Sequence, residues 1–455
     1  MAAAAGERPP PAAAYGLAAV PPRERIADKA AQLVELAPVD SGADGAVRGS
    51  IHPVAGRYTP HVYLACEDGP AYRFVRQIAE SLMGSVWLAT RCRLDAAANV
   101  LVDEVPAARV VIKRSFVDLV RRGVDKSGRT VREDPLHELR VLTYLTGKHS
   151  NIASLLGAYT DARPTVRAEE REMFAVLEFC EGGDLFDHIT ATEGAEANRF
   201  SEDKIRSVFT DMCSAVVAMH GWGIIHRDLS PENVLLDAAG RAKICDPGQA
   251  IDRWAVGPGP IPGDRDVLGK NHFRAPELAA LKPHDEKCDV YSLGVILFLL
   301  FFLGMQPPPP EVIASGQLFQ DVDHYRRSGW ASRSAKDLMY RMTAHDPRRR
   351  PSMLQVLASE WMAPAAGILG FPDQRSMVEA AKGNLDAGAA VCSGLARMRG
   401  GVVTGPSRAA GAVAAASSPA TDPRRSAAPS VSSASSSRGG AMHGSAMDDD
   451  DDIFM

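Results

Sequence analysis

The chain has 455 residues, 45% apolar and 24% charged, which suits a globular core with added polar or low-complexity sequence. Its 51 basic and 56 acidic residues leave a net charge of −5, as large as the charge of the five aspartates at 448–452 alone, so nucleic-acid binding through bulk positive charge is excluded. Seven scattered cysteines with no CxxC pair point to reduced thiols and a cytoplasmic or nuclear setting.

The opening MAAAAGERPPP lacks the charged and apolar regions of a secretory signal, and Ala2 after Met1 does not suit myristoylation. The last residues, Asp-Ile-Phe-Met, do not suit prenylation either. Residues 1–65 are rich in Ala and Pro and are expected to be disordered, apart from a short helix near Ile26–Leu36. From about 70 the apolar patterning becomes dense. Short β-like runs come first: Tyr72–Ile78, Ser85–Thr90, Arg109–Lys113 and Phe174–Phe179. After Asp184 the period turns helical, as in Glu202–His220 and Ala335–Thr343. The run Val290–Met305 is apolar except for Ser292, but at 16 residues it is too short to span a bilayer, so a helix buried in a large domain is expected and no membrane span. Residues 365–455 drift into Ala, Gly and Ser before the acidic end and are expected to be a disordered tail.

The chemistry is concentrated in His226-Arg-Asp-Leu-Ser-Pro-Glu-Asn233 and Asp246-Pro-Gly248. Here the sequence resembles the eukaryotic protein kinase family, of Ser/Thr type, over about 290 residues. The resemblance implies an α+β, two-lobed kinase fold: a small antiparallel β-sheet lobe with one helix (70–180) and a larger, mainly helical lobe (181–362). It also implies ATP and Mg²⁺ as cofactors and a protein substrate. Phosphoryl transfer needs a carboxylate to orient the attacking hydroxyl, metal ligands, and cations on the phosphates. By resemblance Asp228 is the catalytic base, Arg227 the gripper of an activation-segment anion, and Asn233 and Asp246 the Mg²⁺ ligands.

Val110-Val-Ile-Lys113 looks like the strand carrying the phosphate-binding lysine, with alternation sending Val111 and Lys113 to one face. Its expected partner is Glu138 in PLHELRVLTYL, where Leu136, Leu139, Leu142 and Leu145 recur at i, i+3. Ala175–Asp184 resembles the hinge that pairs with adenine: Leu177 at the back of the pocket, Glu178 and Cys180 offering backbone groups, Asp184 facing ribose or substrate. Ile78, Gly84, Val86 and Leu235 complete the expected nucleotide site. Ala275-Pro-Glu277, Asp289 and Arg350 match later family motifs, which implies a Glu277–Arg350 pair and an Asp289 that receives the catalytic-loop backbone.

The departures are specific. In the phosphate-covering loop, Ala79 and Ser81 stand where the family has glycine, which implies weaker nucleotide binding. Pro247 replaces the phenylalanine between Asp246 and Gly248, and Ser230 replaces a lysine two residues after Asp228. These keep a second class open, a pseudokinase or scaffold with weak or no phosphotransfer. Four further expectations follow. Asp184 and Glu232 select basic residues in the substrate, Lys270 supplies the cation missing at 230, Asp266 pairs with Arg227, and the tail Asp448–Met455 docks a partner.

Overall fold

The computed structural model describes residues 70–95, 100–103, 108–131, 133–160, 170–190, 200–256, 259–263, 268–302 and 331–399, with the short pieces 37–38, 63–65 and 167. The fold is α+β and two-lobed. The first lobe is an eight-stranded sheet: β1 (Ala37–Pro38), β2 (Tyr63–Ala65), β3 (Ala71–Ser81), β4 (Gly84–Asp95), β5 (Val100–Asp103), β6 (Arg109–Phe116), β7 (Leu155–Thr160) and β8 (Glu172–Glu178). Its order is β1-β7-β8-β6-β4-β3-β2, with β5 also on β4, and every pairing is antiparallel except β1 on β7. The four strands read from the sequence are all present, one to six residues longer. β5 and β7 were not anticipated. Within 1–65, Ala37–Pro38 and Tyr63–Ala65 are strands at the two ends of the sheet, and the rest of that region lies outside the described residues; an exposed sheet edge offers unpaired N–H and C=O groups that a short extended piece satisfies. The Ile26–Leu36 helix lies outside the described residues.

β6 alternates as a half-buried strand must. Val110 and Ile112 enter a core with Tyr72, Ala89, Phe174 and Val176, so Val111 and Lys113 turn to the other face. The helix Pro135–Leu145 begins where Asp134 accepts hydrogen bonds from the N–H groups of Leu136 (3.0 Å) and His137 (3.1 Å), with Pro135 in its first turn. It buries Leu139 and Leu142 against Leu155, Met173 and Ala175, whereas Leu136 stays 37% exposed.

The second lobe is built on the helices Glu202–Gly221 and Lys287–Phe301. The latter is the apolar run of the sequence, buried from Cys288 through Phe301, and no helix among the described residues is long and apolar enough to cross a membrane. The helical fold does not end at 362. Helices follow at Ala365–Ile368 and Gln374–Arg399, and Met377, Ala381 and Asn384, spaced i, i+4, i+7, are buried. This corrects the tail boundary at 365. Gly221 permits the approach, because a Cβ there would stand 3.2 Å from the Asn384 carbonyl oxygen. The five described cysteines are free thiols.

Candidate active site

Lys113 Nζ lies 2.7 Å from Glu138 Oε1 and 3.3 Å from Asp246 Oδ2, so β6, the Pro135–Leu145 helix and the segment after the Ala242–Ile244 strand meet at one cation. Burial works against the lysine's charge, but Asp246 and Glu138 outweigh it and raise its pKa. The same cation, ahead of the opposing effect of burial, holds the Asp246 carboxyl below its usual range. Burial pushes Glu138 up, with Lys113 pulling the other way.

The catalytic loop hangs on Asp289, which is 1% exposed. Its Oδ2 accepts from the His226 N–H (2.9 Å), its Oδ1 accepts from the Arg227 N–H (2.8 Å), and His220 Nε2 lies 2.8 Å from Oδ2. Burial alone would raise this carboxyl, yet the His220 bond and the surrounding donors leave it lowered. Arg227 (φ +65°) and Asp246 (φ +54°) both occupy the left-handed region, a cost of about 1–3 kcal/mol each that the surrounding bonds must hold. Asn233 Nδ2 donates to the Asp228 main-chain oxygen at 2.7 Å. Asp228 Oδ1 accepts from the Lys270 N–H (3.2 Å) and Oδ2 from Gln249 Nε2 (3.3 Å), while burial raises the carboxyl's pKa.

Two cavities form one cleft between the lobes. One, of about 160 Å³, is lined by Val86, Val111, Leu177, Glu178, Asn233, Leu235 and Asp246, among others; the apolar members suit a flat ring. The other, of about 460 Å³, holds Lys113, Glu138, Asp228, Asp246 and Gln249. The donor set fits Mg²⁺: Asp246 and Asn233 offer hard oxygens, and no group of three acidic, His or Cys side chains among the described residues forms a protein cage, as expected of an ion whose remaining ligands are water and phosphate.

Of the residues assigned from the sequence, Lys113, Glu138, Asp228, Asn233, Asp246, Val86, Val111, Leu177, Glu178 and Leu235 are brought together. Ile78, Gly84, Cys180 and Asp184 line neither cavity. Ile78 is 43% exposed on β3. Gly84 is needed for packing, since a Cβ there would lie 1.8 Å from the Arg114 carbonyl oxygen. Cys180 is buried where the chain leaves β8, and the Asp184 carboxylate accepts from the Asp187 N–H at 2.8 Å. Arg227 Nε donates to the Gln249 carbonyl at 2.8 Å, and Asp266 lies outside the described residues, as does the 448–455 tail. Lys270 Nζ sits 3.2 Å from Glu232 Oε1 and its charge also acts on the carboxyls of Asp228 and Asp246. The phosphate-covering loop is a tight hairpin, with Ser81 paired to Gly84, that is tied down by a Glu80–Lys126 ion pair and by the Lys126 N–H on the Leu82 carbonyl (3.1 Å).

Sequence reasoning missed two bridges. Pro247 is buried, and the helix is joined to the segment after Asp246 through His137, whose Nε2 lies 2.8 Å from the Ala250 carbonyl oxygen. Gln249 joins Asp228 to the Gly269 N–H. Neither residue type carries a motif signal, since each acts through one hydrogen bond to a distant backbone or side chain. Lower in the second lobe, the expected Glu277–Arg350 pair is present, buried and two-pronged, with both bonds at 2.6 Å.

A family model described as the protein kinase domain matches residues 110–362. That is more than half of the chain, and the chain belongs to the protein kinase family. Among curated relatives it is similar to calcium-dependent protein kinase 12 of Oryza sativa subsp. japonica, 31% identical over 299 residues (64% of this chain, 49% of the relative). Ribosomal protein S6 kinase 2 alpha of Xenopus laevis is 31% identical over 270 residues, 56% of this chain and 33% of the relative. Sperm motility kinase 2B of Mus musculus is 30% identical over 230 residues, 50% of this chain and 42% of the relative. The chain thus spans half or less of the length of these relatives.

Proposed function

We propose that the protein is an ATP-dependent serine/threonine protein kinase. The observation that carries this reading is the meeting of Lys113, Glu138 and Asp246 at 2.7 and 3.3 Å in the cleft that also holds Asp228. In this reading Lys113, fixed by Glu138, holds the nucleotide phosphates, and Asp228 orients the substrate hydroxyl and accepts its proton. Asp246 and Asn233 would hold Mg²⁺, which supplies charge neutralisation on the phosphates. Val86, Val111, Leu177 and Leu235 enclose the base. Glu232 is already answered by Lys270, so any selection of basic substrate residues rests mainly on Asp184.

The pseudokinase reading is favoured by one observation: Ser230 Oγ is buried with no hydrogen-bond partner, so nothing at that position supplies the cation its place in the loop calls for. Transfer of labelled phosphate from ATP to a generic basic peptide, followed by phosphoamino-acid analysis, separates the two. The kinase reading expects Mg²⁺-dependent phosphoserine or phosphothreonine that disappears in Asp246→Ala. No transfer by folded wild-type protein, or phosphotyrosine alone, contradicts it.

A further inference from the structure

The segment from Asp246 to Glu277 contains no Ser, Thr or Tyr, so hydroxyl phosphorylation within it cannot set its conformation. Gly269 and Lys270 nevertheless lie closed on the catalytic loop. The Gly269 N–H donates to Gln249 Oε1 at 2.8 Å, and Gln249 Nε2 donates onward to Asp228 Oδ2 at 3.3 Å. The Lys270 N–H reaches Asp228 Oδ1 at 3.2 Å. From the other side, Arg227 Nε fixes the Gln249 main chain through its carbonyl at 2.8 Å. The approach is close: Gly269 has φ +77°, and a Cβ on it would stand 3.0 Å from the Arg227 carbonyl oxygen.

A carboxamide can give a hydrogen bond to a carboxylate and accept one from a backbone N–H at the same time. Glutamate at 249 could accept from Gly269 but would set a second negative charge beside Asp228, and leucine would serve neither end. A carboxylate has about four acceptor positions, so the three donors on Asp228, which are the Lys270 N–H, Gln249 Nε2 and Asn233 Nδ2 (3.4 Å to Oδ2), leave one position for a substrate hydroxyl.

We propose that Gln249 is a positioning residue for phosphotransfer, its carboxamide strapping Gly269–Lys270 to the Asp228 carboxylate so that these two residues are held on the catalytic loop without covalent modification. This deepens the kinase reading above and rests on it. The strap fixes the rotamer of Asp228 and shapes the place where the substrate hydroxyl arrives, and Gln249 does not line the apolar cavity of Val86, Val111, Leu177 and Leu235.

The test uses the full chain, phosphatase-treated, as wild type and Gln249→Leu. Peptide-level deuterium exchange over residues 268–273 is measured beside kcat and the KM for ATP. Loss of a hydrogen bond to a charged group predicts about a tenfold fall in kcat with KM for ATP unchanged, and exchange in 268–273 about tenfold faster while the 202–221 helix is unaffected. Unchanged exchange overturns the strap, and faster exchange with wild-type turnover overturns its positioning role. If Gln249→Leu does not fold, Gln249→Glu is measured by the same two readouts and is expected to lose turnover through like-charge repulsion. Wild-type protein that shows no Asp246-dependent transfer sinks the kinase reading alone, and the exchange data still decide the strap.

Discussion

Replacing Glu277 by alanine removes the acceptor of two charge-assisted hydrogen bonds, each 2.6 Å, from an Arg350 side chain that is 0% exposed. The guanidinium keeps three carbonyl acceptors, Ala344 (2.7 Å), Lys287 (3.0 Å) and His345 (3.1 Å), and lies over the Tyr291 ring at 4.9 Å. Those dipoles satisfy N–H groups but carry no net charge, so Glu277→Ala leaves a buried cation unpaired and should cost about 3–5 kcal/mol. Replacing the pair by Glu277→Leu with Arg350→Met removes both charges. It should cost clearly less than the two single changes together, with a coupling of about 0.5–3 kcal/mol. Urea unfolding midpoints of the full chain at neutral pH, for Glu277→Ala and for the cycle of wild type, Glu277→Leu, Arg350→Met and their double, measure this directly. A loss under about 1 kcal/mol for Glu277→Ala, or strict additivity, would refute the reasoning and mean that water or local relaxation screens the pair.

Gly84→Ala should lower stability by about 1–3 kcal/mol, because the new Cβ, 1.8 Å from the Arg114 carbonyl oxygen, must force β4 from β6; thermal melting checks this, and a wild-type melt with a raised KM for ATP would instead make Gly84 a phosphate contact. Asp289, whose carboxyl is held below the ordinary value, adds stability that is present above about pH 4 and is lost as pH falls through its lower folded pKa. Asp289→Asn should therefore be less stable at neutral pH and show a shallower loss on acidification, and parallel stability curves for the two proteins would contradict the assignment.

Much of the site was legible because its chemistry tolerates few residue types. A base, two metal ligands and a lysine on an alternating strand leave a spaced signature, and Asp228, Asn233, Asp246, Lys113 and Glu138 converge as that signature implied. Side chains that act through backbone groups left no such mark. His137 and Gln249 are ordinary polar residues until folding brings the Ala250 carbonyl and the Gly269 N–H to them. The Gln374–Arg399 helix was hidden by its Ala and Gly content, although Met377, Ala381 and Asn384 carry a helical period. For Lys270, sequence spacing gives proximity to the cleft but not the partner of a long side chain, which here is Glu232.

The central claim is that this cleft transfers phosphate with Asp228 as the group that orients and deprotonates the hydroxyl. The most direct measurement compares Asp228→Asn with wild type for ATP affinity and for kcat on one peptide substrate. The account predicts unchanged ATP affinity and a kcat lowered by about 10²–10⁴-fold. Equal turnover in the two proteins, or none in a wild type that binds ATP, would contradict it.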